Sequence, residues 1–95
     1  MGRGRQTLMI MTQKNLSLND YYFSTPDLAL AVTVSLWYPI DSIDRTNPYK
    51  ALFLFKKDEN LDKLVEKFWK QELRIEPQAY FSQLKIIKSR LYGQR

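Results

Sequence analysis

The chain has no cysteine and no histidine. Without cysteine there is no disulfide framework and no thiolate to serve as nucleophile or metal ligand, and the fold is indifferent to the redox state of its compartment. Without histidine the usual general base near neutral pH is missing, along with every Ser-His or Cys-His nucleophile system and the commonest zinc ligand. An enzyme would be left with carboxylates, lysine, tyrosine and serine. Long apolar runs are lacking too. The longest uncharged stretch, Leu28 to Ile40, falls short of the ~20 residues a spanning helix needs and contains Pro39, so no membrane contact is expected. Residues 1–11 carry Arg3 and Arg5 but only a short apolar patch and no small-residue cleavage site, a poor secretory signal. Gln6 breaks the myristoylation pattern that Gly2 would begin, and Met11 offers an alternative start. The expected location is the cytoplasm.

What is present suits one small domain. Ninety-five residues with 44% apolar content can build a single modest core. The net charge of +5 is unevenly placed: +3 over residues 1–14, −3 over 15–49, +3 over 50–57, −2 over 58–76 and +4 over 77–95. Such segregation is compatible with a polyanionic partner and equally with the mixed surface of a soluble domain.

The clearest signal is a strand that feeds a helix. Ala51 to Phe55 is a continuous apolar run closed by Lys56 and Lys57, and Leu61, Leu64, Val65, Phe68 and Trp69 then recur at the spacing of one helical face. Asp58 stands at the N-cap, with Glu59 in the first turn. Upstream, residues 1–15 have no periodicity and read as a flexible tail ahead of a domain spanning 16–95. Leu16 to Phe23 reads as a short strand with Leu16, Leu18 and Tyr22 on one side. Thr25 suits an N-cap and Pro26 the first position of a helix running to Trp37, which carries no charge after Asp27 and must be covered on nearly all sides; β-branched Val32, Thr33 and Val34 leave a strand as the alternative. Tyr38 to Arg45 and Lys50 to Lys56 flank a type I turn with Asn47 first and Pro48 second, hence an antiparallel hairpin. Ile40 and Ile43 fall on opposite parities, which implies a bulge or a change of face between them. After a short extended link, Pro77 opens a last helix with Tyr80, Leu84, Ile87 and Leu91 inward, Phe81 at the edge, Ile86 outward and Gly93 just past the end. The expected fold is α+β, order β-α-β-β-α-α, a short antiparallel sheet packed by helices.

Several of these segments resemble a small bacterial family known as domain of unknown function 5659. The resemblance is carried by Ser24 to Ala31 opening a helix, Ile40 to Arg45 as a strand, Leu52 to Phe55 followed by acidic residues, Leu64 to Trp69, and Leu84 to Tyr92, and it covers about residues 16–92. That family tends to carry a glycine between its first helix and the next strand, where this chain has Leu36, Trp37 and Tyr38. The resemblance implies a fold and no reaction; its members look like stand-alone small proteins, a pattern that suits accessory or binding modules.

Three sets of residues are candidates for function. Lys85, Lys88, Arg90 and Arg95 on the last helix, with Tyr92 as a stacking group and joined by Lys56 and Lys57, have the density that phosphate contacts require; a solvated helix face with cations near its C-terminus is the plainer explanation. Lys63 and Lys70 are expected to pair with Glu59 and Glu66 at i, i+4. Trp37, Trp69 and Ile86 are candidates for a surface buried against a second copy or a larger complex, although Trp69 also fits the core stripe of its helix. Asp41 and Asp44, or Asp58, Glu59 and Asp62, lack calcium-loop spacing and are explained by caps and exposed strand positions. No catalytic residue, metal or cofactor is assigned. The expectation is a non-enzymatic nucleic-acid or nucleoprotein-binding module, with a protein-interaction subunit lacking nucleic-acid contact as the alternative.

Overall fold

A computed structural model describes residues 21–93. The tail expected over 1–15, the Leu16 and Leu18 part of the first strand, and Arg95 lie outside the described residues. The elements are β1 (Tyr22–Thr25), α1 (Leu28–Ser35), β2 (Ser42–Asp44), β3 (Leu52–Lys56), α2 (Glu59–Trp69) and α3 (Pro77–Gly93), which is the expected α+β order.

The apolar strand β3 is central, because the sheet order is β1-β3-β2 with both pairings antiparallel. Phe53 and Phe55 are fully buried on one face and cluster with Leu30 of α1, Leu61 of α2 and Ile87 of α3, so all three helices contribute to the core on that side. By strand parity, Phe23, Thr25 and Ile43 share that face through their registers with Phe55 and Phe53. Tyr22, Ser24, Ser42, Leu54 and Lys56 share the other. Within the described residues β1 runs on past Phe23 to Thr25 and turns Phe23, not Tyr22, to the core. Phe23 and Phe55 face each other with ring centroids 6.4 Å apart.

Helix α1 begins two residues later than expected. Thr25 is committed to the ladder opposite Phe53, and its Oγ1 accepts from the Asp27 amide at 3.0 Å. Asp27, itself extended at φ −76° and ψ 114°, is the N-cap and accepts from Leu30 N at 3.1 Å. The uncharged segment is helical, not extended, and Leu30, Ala31, Val32, Thr33 and Val34 are buried in unbroken succession. Its two hydroxyls are satisfied on the helix itself, Thr33 to Ala29 O at 2.9 Å and Ser35 to Val32 O at 2.6 Å. The helix stops at Ser35, short of Trp37, and the Trp37 and Tyr38 amides both return to Val34 O. Among the described residues only Gln71 has a positive φ outside glycine, so this turn is made without the left-handed residue that a family glycine would supply.

The hairpin turn is as expected: Lys50 N donates to Asn47 O at 3.2 Å and Tyr49 N to Asn47 Oδ1 at 2.8 Å. Asp41 N donates to Leu54 O, the residue that Ser42 faces, so Asp41 and Ser42 both oppose Leu54 and the strand is bulged. That extra residue lets Ile40 and Ile43 both pack against the core. Asp58 caps α2 through Leu61 N at 2.8 Å and also accepts from Tyr38 OH at 3.0 Å. Helix α2 closes with Glu72 N on Lys67 O and Gln71 N on Phe68 O, the paired bonds of a Schellman cap, with Gln71 at φ 62°. Glu76 caps α3 with both carboxylate oxygens, to Gln78 N at 3.1 Å and Ala79 N at 2.7 Å. Gly93 is the last residue of that helix instead of lying past its end.

Candidate nucleic-acid interface

The segments 45–57 and 77–95 contain no acidic residue, and each carries four cations. The fold brings one end of the first against one end of the second. Arg45 Nη2 donates to the carbonyls of Arg90 at 2.9 Å and Leu91 at 3.0 Å. These are carbonyls of the last turn of α3, the region where a helix runs out of amides to bond, so Arg45 acts as a C-terminal cap supplied from the β2–β3 connection. Between the two segments lies an open groove of about 420 Å³, with Asn47, Pro48, Tyr49 and Lys50 on one wall and Leu91 and Tyr92 on the other.

Along α3, Phe81, Lys85, Lys88 and Tyr92 follow at i, i+4, i+7 and i+11, which places them on one ridge running into this groove. All four are exposed, Phe81 at 57% and Tyr92 at 58%, and Tyr49 opposite is 94% exposed. Among the described residues, Lys50, Lys85 and Lys88 pair with no carboxylate; the salt bridge formed is Lys70–Glu66 at 3.1 Å. Lysines without a carboxylate partner leave a net positive field that attracts polyanions.

Sequence reasoning placed Lys85, Lys88 and Tyr92 together, and they do share the ridge. Arg90 is half-buried on the opposite flank of α3, its carbonyl held by Arg45. Lys56 and Lys57 do not join the cluster. Five residues of extended chain, about 16 Å, separate Lys56 from Ala51 at the groove. By parity it faces away from α3, in a cleft with Tyr38, Pro39, Ile40 and Asp41. The Lys57 amide bonds Tyr21 O at the same distant end of β3. Tyr49 and Lys50 went unremarked in the sequence except as a turn; the signal available was the acid-free run from 45 to 57.

The apolar candidates are dispersed. Trp37 is 53% exposed and lines a second cleft against Asn60, Lys63, Leu64, Lys67 and Leu73. Trp69 is not in the core: it is 61% exposed, edge-on to half-buried Phe68 at 4.9 Å, and on the flank of α2 away from Lys63 and Lys67. Ile86 is 53% exposed on α3. Lys63 is not paired with Glu59, whereas Lys70 and Glu66 meet as expected.

Four of the carboxylates are occupied by neighbouring amides. Asp27, Asp58 and Glu76 cap helices, and Thr46 donates to Asp44 Oδ1 from its amide at 2.9 Å. The Thr46 hydroxyl, and after it that amide, hold the Asp44 carboxyl below its usual range. Partial burial, then the bond to Asp58, push the Tyr38 phenol above its usual value. Among the described residues no three acidic side chains gather to hold a metal ion, and no helix is long and apolar enough to cross a membrane.

No curated protein and no solved structure matches the chain. A family model matches residues 38–93, which takes in β2, β3, α2 and α3 with the whole groove; the expected resemblance over about 16–92 extends further, and its Ser24 to Ala31 part lies outside the match. With more than half of its length inside that match, the chain belongs to the family described as Domain of unknown function (DUF5659).

Proposed function

We propose that this domain is a non-enzymatic module that binds nucleic acid or a nucleoprotein through the surface where the β2–β3 turn meets α3. The observation that carries the reading is the junction of two acid-free segments across one groove, with Lys50 on its wall and Lys85 and Lys88, likewise unpaired, on the helix ridge that leads to it. Binding of this kind gains its affinity from released counterions, so it weakens steeply with salt, with a slope of about 0.7–0.9 per phosphate contacted. The test is anisotropy of labelled DNA and RNA titrated with the full chain across a salt series. Lys50→Gln, Lys85→Gln and Lys88→Gln should each weaken binding and shallow the slope, whereas Lys63→Gln should change neither. Absence of binding at low salt, or binding indifferent to salt, overturns the reading.

A second reading, a protein-interaction subunit, is favoured by the Trp37 cleft. There a half-exposed indole stands over Leu64 and Leu73 beside unpaired Lys63 and Lys67, a surface suited to an acidic amphipathic segment of a protein. Co-purification with and without nuclease separates the two. A protein partner that survives nuclease and is lost in Trp37→Ala supports the second; a partner lost on nuclease treatment supports the first.

A further inference from the structure

We infer that the groove between Tyr49 and Tyr92 takes an unstacked base, so that the nucleic acid this module selects is single-stranded. The inference rests on the binding reading above and names the ligand class for the same site.

Lysines alone suffice to hold a duplex, whose phosphates face outward and whose base faces are hidden in the stack. The aromatic side chains are what a duplex leaves unexplained. Tyr49 is 94% exposed, so its ring contributes almost nothing to the core, yet its backbone is pinned: its amide is held by Asn47 Oδ1 and the next amide by Asn47 O. An exposed ring on a fixed backbone loses little freedom when something stacks on it. Across the groove, Tyr92 extends from the end of α3 that Arg45 secures. The two rings therefore stand on walls tied together by the Arg45 bonds.

The groove's volume, about 420 Å³, lies toward the small end of the ~300–1,000 Å³ range of small-molecule sites, so it has room for one base. Lysines lie on both sides of it, Lys50 in the turn and Lys88 one helical turn before Tyr92, with Lys85 and Phe81 continuing the ridge. Cations alternating with stacking faces along one line is the arrangement that tracks a single strand, each lysine on a phosphate and each ring on a base. A strand laid along the ridge passes Phe81, Lys85 and Lys88 and ends with a base between the tyrosines.

The probes are a labelled thymidine strand of about twelve nucleotides, within the range of single-strand site sizes, its uridine RNA counterpart, and a DNA duplex of equal length. They are titrated by anisotropy with the full chain at about 50 mM salt, where phosphate-driven binding is strong. The variants are Tyr49→Ala, Tyr92→Ala and Tyr49→Phe, each checked for an unchanged melting temperature, which the exposure of both rings leads us to expect. One or both strands should bind more tightly than the duplex. Each alanine variant should weaken strand binding about 5- to 100-fold with the salt slope unchanged, and Tyr49→Phe should retain it, because stacking needs the ring and not the hydroxyl. Duplex binding at least as tight as the better-bound strand, or alanine variants that bind strands like the wild type, overturns the inference while leaving the basic surface in place. Failure of all three probes to bind overturns both.

Discussion

Ile86 and Ile87 are adjacent in sequence and opposite in environment, the first 53% exposed and the second 0%. Ile87→Ala cuts the side chain back to Cβ inside the cluster formed by Leu30, Phe53, Phe55 and Leu61. At about 0.8 kcal/mol per methylene-sized group, the lost transfer energy is about 2.4 kcal/mol. A residual cavity of about 50 Å³ adds about 1.2 kcal/mol, for a total of about 3.5 kcal/mol. Ile86→Ala forfeits roughly half of the transfer energy, about 1.2 kcal/mol, and regains about 0.4 kcal/mol because alanine is the better helix former. With a urea slope of about 1–1.5 kcal/mol/M, the Ile87 variant should unfold at a midpoint lower by about 2–3 M and the Ile86 variant by under about 1 M. Both are read by circular dichroism in urea. A domain of this size holds about 5–14 kcal/mol, so Ile87→Ala uses up much of it. Should that variant fail to fold, Ile87→Val, expected to cost about 0.5–1.5 kcal/mol, restates the comparison. Equal shifts for the two positions would refute the packing of α3 through Ile87.

Gln71 holds a left-handed conformation at the end of α2, so Gln71→Gly should stabilise the fold by about 0.5–1 kcal/mol, the strain relieved less the extra chain entropy of glycine, measured as a rise in melting temperature. Asp58→Ala loses both the cap on Leu61 and the acceptor for Tyr38 and should cost about 1–2 kcal/mol, whereas Asp58→Asn, which can still cap, should cost under about 0.5 kcal/mol in the same urea experiment. Because the Tyr38 phenol is raised from its usual 10.0, first by partial burial and then by Asp58, its contribution is complete below about pH 10 and is lost as pH rises through the higher folded value. Melting temperature should therefore fall less between neutral and strongly alkaline pH in Tyr38→Phe than in the wild type, and identical slopes would contradict the assigned contact.

Much of the fold is written locally. Apolar periodicity and the capping residues Asp58 and Pro77 marked α2 and α3, the Asn47-Pro48 pair marked the turn, and a continuous apolar run marked β3; each depends on residues within a few positions of one another. Element boundaries were less legible where two elements compete for one residue. Thr25 has the side chain of an N-cap, but its backbone is claimed by Phe53 in the ladder, and that pairing is not a property of Ser24 to Asp27. Trp69 has core spacing, yet it sits at the edge of the stripe, where no neighbour reaches across to cover it.

The candidate site divides in the same way. The chain by itself determined that Lys85, Lys88 and Tyr92 share a flank of one helix, because a helix of fixed pitch turns sequence spacing directly into position. It also determined that 45–57 and 77–95 are free of acid. Only the tertiary structure decided which cations meet. Lys50, not Lys56, comes to α3, because β3 runs away from the groove and its alternation turns Lys56 to the opposite face of the sheet. Arg45 reaches the last carbonyls of α3 across 45 positions of sequence, and no local pattern encodes a contact at that separation.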